Sequence, residues 1–197
     1  GIIELTTEIV RHRDRFASDA LKLDKRHFDL PDHAGERTIL SLAFEGDELD
    51  LIEAILPALA AGSKRDQEAA QRLASIRGLT LASLEILESV LLNGAGAKEP
   101  FSAKIGSFPT KATRDAIAAM MPELEAFMCR VEAARNQRVV LAAFRRAEAL
   151  HDFAGLFLPL YDDHKLARGQ LDFDDLIRKT RDLLSDPGVA AWVLFKL

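Results

Sequence analysis

A chain of 197 residues, 48% of them hydrophobic, has enough apolar side chain for one large helical domain or two small ones, which excludes a wholly disordered chain. A formal net charge of −5 and a pI near 5.6 remove any global case for nucleic-acid binding, and a single cysteine excludes an internal disulfide or a multi-thiolate metal site. With no apolar run of eighteen residues and no signal-peptide pattern, the chain is expected to be soluble, away from membranes and cytoplasmic.

In chain order, Ile2 to about Arg15 reads as a helix with Ile3, Thr7, Ile9 and Val10 on one face. Arg11, Arg13 and Arg15 crowd its end, where positive charge suits the helix dipole. A short helix is expected from Ser18 through Lys25, then a loop at Leu30 to Gly35; Thr38 to Phe44 is a short apolar run that fits a helical turn or an extended piece, with helix the reading adopted. Asp47 is expected to cap a helix on Leu51, Ile52, Ile55, Leu56 and Leu59, kinked by Pro57 and stopped at Gly62. Ser63 then caps a helix with Ala69, Leu73 and Ile76, and Thr80 one with Leu84, Leu87, Val90 and Leu91. Stops this short make the three helices antiparallel neighbours.

Residues 93–109, rich in Gly, Lys and Pro, read as an exposed loop and not as a domain linker. From Thr110 the pattern is helical almost to Arg168. One helix carries Ile117, Met120, Met121, Leu124, Phe127, Met128 and Val131, with Pro122 as a kink or restart, and Cys129 reads as a buried small hydrophobe within it. After a break around Asn136, another carries Val140, Leu141, Phe144, Ala147, Leu150, Phe153, Leu156, Phe157 and Leu160, bent near its end by Pro159. No strand is expected. The predicted fold class is all-α: an irregular multi-helix array with long C-terminal helices, forming a single domain over 1–197.

The densest block is Leu171-Asp172-Phe173-Asp174-Asp175-Leu176-Ile177, which reads as a helix start. Asp172 is a suitable N-cap, and Asp174 and Asp175 place negative charge in the first turn. The helix continues on an apolar face of Phe173, Leu176, Ile177, Thr180 and Leu184, and Asp186-Pro187 starts one more short helix with Val189, Trp192 and Val193. Before the block stand Tyr161, Lys165 and Gly169, in the order Tyr-x-x-x-Lys-x-x-x-Gly-x-Leu-Asp-Phe-Asp-Asp-Leu-Ile; after it comes Trp192-Val193-Leu194-Phe195-Lys196-Leu197. Residues 161–197 resemble the stretch of UvrD-like superfamily-one DNA helicases just upstream of the Walker B strand, most closely the AddA-type helicase–nuclease subunit of bacterial recombination repair. Upstream the resemblance is looser and rests on an Arg-punctuated helical style and on Phe108-Pro109-Thr110-Lys111, similar to a Thr-Lys loop of those subunits.

That resemblance implies a helical accessory subdomain of the 1B type, with residues 171–197 returning toward an ATPase core. It also implies a parent protein that uses ATP and magnesium to unwind DNA in double-strand-break repair, with exonuclease activity where a nuclease domain is attached. The implied partners are the other helicase domains of the same chain, DNA and an AddB-like subunit. Gly1 without a preceding Met, and the apolar end at Val193-Leu194-Phe195-Lys196-Leu197, fit an expected fragment of a longer protein.

No nucleotide motif is present. Gly94-Ala95-Gly96-Ala97-Lys98 has the wrong spacing for a phosphate loop, with Glu99 in place of the hydroxyl and Pro100 next, so it reads as a plain loop. Glu148 and His151 have the spacing of two metal ligands on one helix, but a di-iron bundle needs a second such motif, and a solvated pair explains them. His27, Asp29, Asp32 and His33 are explained by loop composition, and Asp162, Asp163 and His164 by a polar helix face. No nucleophile sits in a tight glycine turn, so catalysis by this chain alone is not expected.

Charge leaves one candidate. Residues 101–150 carry eight Lys or Arg against five Asp or Glu, +3 against −8 for the remainder. On a continuous helix Arg135, Arg138, Arg145 and Arg146 fall within an arc of roughly 100°, opposite Val140, Phe144 and Ala147. They are expected as a solvent-facing stripe for the DNA backbone, with Arg130, Lys104 and Lys111 as further donors. Local pairing with Glu132 and Glu148 is the structural alternative, and a helical protein-interaction module without DNA contact is the functional one.

Overall fold

A computed structural model describes residues 1–16 and 23–196, except the side chains of Ala191 and Leu194. Among the described residues the chain is all-α: α1 (Ile2–Arg11), α2 (Glu36–Ala43), α3 (Glu48–Ala60), α4 (Lys64–Leu73), α5 (Leu81–Leu91), α6 (Lys111–Ala116), α7 (Met121–Ala167), α8 (Phe173–Ser185) and α9 (Pro187–Lys196). A lone antiparallel bridge between Leu92 and Ala103 is the only β pairing among them. The short helix expected from Ser18 falls mostly on residues 17–22, outside the described ones. No described helix is long and apolar enough to cross a membrane.

The chain, expected as one domain, divides into two compact units: residues 23–147, and residues 1–22 with 148–197. The division falls within α7, while residues 93–109 stay inside the first unit.

The 23–147 unit holds the hydrophobic core. Ile39, Ile55, Leu59, Leu73, Leu84, Leu87, Leu91, Phe108, Leu124, Phe127, Met128 and Val131 are all fully buried there. The expected caps form on α4 and α5, where the Ser63 hydroxyl accepts from Asp66 N–H and the Thr80 hydroxyl from Ser83 N–H. Asp47, by contrast, makes no side-chain cap on α3. The next residue fixes the preceding turn: the Glu48 carboxylate, 2% exposed, accepts from the N–H groups of Glu45 at 2.7 Å and Gly46 at 2.9 Å.

Asp66, with no exposed surface, ties α4 to the segment before α6. It accepts from Thr110 N–H at 3.1 Å, from the Thr110 hydroxyl and from the Thr113 hydroxyl at 2.9 Å, so the Thr-Lys segment is locked in place. Residues 93–109 are exposed at 94–96, 98–100 and 105–107, while the segment is anchored at other points: Lys104 N–H donates to Leu91 O, Ala103 N–H to Glu132 Oε2, and Phe108 fills the core.

Helix α7 has no break at Asn136 and runs unbroken for 47 residues, starting afresh at Met121 with Pro122 in its first turn, where a missing N–H costs nothing. Its core positions Phe127, Ala134 and Leu141, and likewise Leu124 and Val131, recur every seven residues. A straight helix drifts about 20° per heptad against such a repeat, so the buried side rotates along its length. Cys129 lies between those rows and is exposed, not buried as expected.

The other unit has almost no apolar core. Its buried residues, among those described, are Ile9, Arg13, Ala154, Lys165 and Asp175, three of them charged. Helix α8 keeps its expected amphipathic pattern, yet Phe173, Leu176, Ile177 and Leu184 stay exposed, as does Trp192 of α9. Leu156 and Leu160 of α7, expected inward, are also exposed.

Candidate functional site

The block singled out by sequence assembles around Lys165. Helix α7 ends in a Schellman turn: Gly169, at φ 63°, donates its N–H to Leu166 O, and Gln170 donates to Lys165 O. The left-handed backbone there is the reason for a glycine, and it turns the chain so that α8 starts beside the Lys165 side chain. Asp172 then caps α8 as expected, in a full capping box: its carboxylate accepts from Asp175 N–H at 2.8 Å while Asp175 accepts from Asp172 N–H at 3.1 Å.

Both carboxylates serve a second purpose. Lys165 Nζ donates to Asp172 at 2.8 Å and to Asp175 at 2.6 Å, with Asp162 Oδ1 at 3.1 Å. Arg13 meets Asp172 through two parallel hydrogen bonds, of 3.1 and 2.9 Å, and lies 3.3 Å from Asp175 and 3.8 Å from Asp174. Arg178 adds a bond of 2.7 Å to Asp175. Under the ammonium is the Tyr161 ring, 4.6 Å away, at the end of a ladder in which Phe153, Phe157 and Tyr161 stack at four-residue spacing.

The electrostatics follow from burial and pairing together. Burial disfavours the charge on Lys165, but the bonds from Asp172, Asp175 and Asp162 outweigh it and raise the pKa. For Asp172, burial works upward, while the bonds from Arg13 and Lys165 and the backbone N–H of Asp175 drive the pKa well below the carboxylate range. Asp175 is lowered by the same balance, with Lys165 as the main opposing partner. Lys165, Asp172 and Asp175 are thus each held in the charged form by their partners, and the cluster works as a lock.

Of the block's residues, Tyr161, Lys165, Gly169, Asp172 and Asp175 build this lock and Asp174 stands at its edge. Leu171, Phe173 and Leu176 do not take part and are exposed. Arg13 is the residue that sequence reasoning missed. It was expected to neutralise a helix end, but it sits 5% exposed in a 3₁₀ turn of Arg13–Arg15, and no local spacing signals a partner 159 residues away.

The expected stripe is not uniformly solvent-facing. Arg138 binds Glu88 through two bonds, of 3.0 and 2.6 Å, and reaches Glu85 at 3.3 Å. Arg135 lies 3.8 Å from Glu88 and 3.6 Å above the Phe101 ring. Arg130 pairs with Glu48 at 2.8 Å and Glu45 at 3.1 Å. The pairing is tertiary, to α5 and to α3 with the turn before it, not to Glu132 or Glu148. The arc of Arg135 and Arg138 coincides with that of Leu124, Phe127, Met128 and Val131, which face the core, and not with an outer side set by Val140 and Phe144. Further along, Arg145 and Arg146 are exposed, as is Lys111 on α6, while Lys104 is half-buried and donates to Val90 O.

His27 Nδ1 accepts from Asp24 N–H at 3.3 Å, and His151 lies 5.1 Å from the Phe16 ring. Among the described residues no three His, Cys, Asp or Glu side chains are grouped to hold a metal ion. No protein-family model, curated protein or solved structure matches the chain.

Proposed function

We propose that the chain is a DNA-guiding helical accessory domain of a UvrD-like, AddA-type helicase. The single observation that supports this reading is that the polar members of the resembling block, Tyr161, Lys165, Gly169, Asp172 and Asp175, work as one device. It fixes the angle at which the chain leaves α7, which is what a segment returning toward a motor requires. In this reading the parent protein binds ATP and magnesium, unwinds DNA in double-strand-break repair, and cooperates with an AddB-like subunit. DNA contact falls on the exposed end of the stripe, Arg145 and Arg146, which form no ion pair among the described residues, with Lys111. Arg130, Arg135 and Arg138 act as struts in the fold.

A labelled oligonucleotide titrated with the chain tests this. Binding is expected to be weak and indifferent to sequence, with a log–log salt slope of about 0.7–0.9 per phosphate contact. Arg145→Gln with Arg146→Gln should weaken it and flatten the slope by one to two contacts, whereas Arg138→Gln should lower stability without changing the slope. An unchanged slope in the double variant overturns the DNA assignment for this helix.

The second reading, a helical protein-interaction module without DNA contact, is favoured by the exposed apolar residues Phe173, Leu176, Ile177 and Leu184 on one face of α8. It gains if no oligonucleotide binds.

A further inference from the structure

In the 23–147 unit a cavity of about 110 Å³ is lined by Arg65, Glu68, Ala69, Arg72, Ser89, Val90, Lys104 and Phe108. Ala69, Val90 and Phe108 are buried and make its apolar floor; Arg65, Glu68, Arg72 and Ser89 are exposed at the rim, and Lys104 is half-buried between them. Three cations therefore face one carboxylate. Elsewhere in this unit Arg130 is neutralised by Glu48 and Arg138 by Glu88. Arg65, Arg72 and Lys104 form no ion pair within 4 Å among the described residues. Glu68, on the same helix as both arginines, forms none either.

We propose that this cavity binds a phosphate group, with Arg65 and Arg72 gripping its oxygens from the rim and Lys104 meeting it from within. The cavity exceeds severalfold the about 10–15 Å³ that one water needs, so a tetrahedral oxyanion has room. Arginine forks suit phosphate oxygens in pairs, and Lys104 supplies a point charge whose direction is set by its bond to Val90 O. The site is short of negative charge: burial first, and then the charges of Arg65 and Arg72, push the Lys104 pKa down. A bound phosphate reverses that imbalance. The phosphate has two sources, free in solution or within a nucleic-acid backbone. The site itself rests on these lining charges and not on the helicase reading.

The test is calorimetric titration of the full chain with inorganic phosphate at low ionic strength, beside anisotropy of a labelled single-stranded oligonucleotide. Saturable phosphate binding at one site is expected. Arg65→Gln with Arg72→Gln should weaken it about tenfold or more, the worth of at least one charge-assisted hydrogen bond. Glu68→Gln should tighten it by removing the one opposing charge. These residues are exposed, so the variants keep the fold, which thermal melting verifies. If the source is a nucleic-acid backbone, the double variant also loses oligonucleotide affinity and free phosphate competes with the oligonucleotide. If the source is free phosphate, oligonucleotide affinity is unchanged in the variant while phosphate binding is lost. The site is overturned if phosphate does not saturate, or if the double variant binds it as the parent chain does. The helicase reading fails separately, if phosphate binds and no oligonucleotide does.

Discussion

Asp172 shows how much one side chain can carry. As an N-cap alone its replacement by Ala costs about 0.5–2 kcal/mol. It also accepts from Arg13 and Lys165, both nearly buried, and removing one partner of a buried pair costs about 3–5 kcal/mol because the other charge is stranded. Asp172 keeps 27% side-chain exposure, so the lower end of that range applies. Urea unfolding should give Asp172→Ala a loss of about 3 kcal/mol and Asp172→Asn an intermediate one, since Asn keeps a capping oxygen without the charge. Equal losses within the capping range would show that the ion pairs contribute nothing. Arg13 belongs to the same lock and is therefore not a neutral site for altering surface charge.

Between elements, the junction of α3, α4 and α6 is set by Gly62. A Cβ there would stand 2.6 Å from Thr113 Oγ1 and 2.8 Å from Asp66 Oδ2, and both oxygens are already bonded to each other. Gly62→Ala should therefore destabilise by about 1–3 kcal/mol, the range for overpacking a filled site, which outweighs the smaller gain of about 0.4–1 kcal/mol from reduced freedom of the unfolded chain. Thermal melting of the variant checks this, and unchanged melting would mean that Asp66 can yield. The same junction explains why the Thr-Lys segment is rigid: Asp66 is lowered in pKa because, against its burial, the hydroxyls and N–H of Thr110 and Thr113 favour its charge. Periodicity made α3, α4 and α5 readable, and the Ser63 and Thr80 caps confirm the starts of α4 and α5. The carboxylate that joins them to α6 was not readable, because its donors lie 44 and 47 residues away.

At the scale of the molecule the two units rest on different physics. Residues 23–147 are held by a packed apolar core, while residues 1–22 with 148–197 rest on an ion cluster. Folded Asp172 and Asp175 have pKa values below the ordinary 3.8, so the unfolded state binds more protons as pH falls. The stability they contribute is complete well above 3.8 and is lost as pH drops below it toward the folded values. Acid should thus unfold the second unit first. Amide exchange between neutral pH and about pH 3 should show α8 losing protection before α5 does. Loss at the same pH in both would mean that the ion cluster does not decide the stability of its unit.

Local chemistry was sufficient for the all-α class, for Ser63, Thr80 and Asp172 as caps and for Asp186 at the start of α9, because each depends on neighbours within about one helical turn. Only the tertiary structure decided what the charges do. It paired Arg130, Arg135 and Arg138 with acids of α3 and α5, brought Arg13 to Asp172, and left Arg65, Arg72 and Lys104 without carboxylate partners within 4 Å among the described residues. Helical spacing fixes which residues share a face, but which element covers that face depends on contacts far apart in the chain. A guanidinium looks the same in sequence whether it meets solvent, a carboxylate or a phosphate.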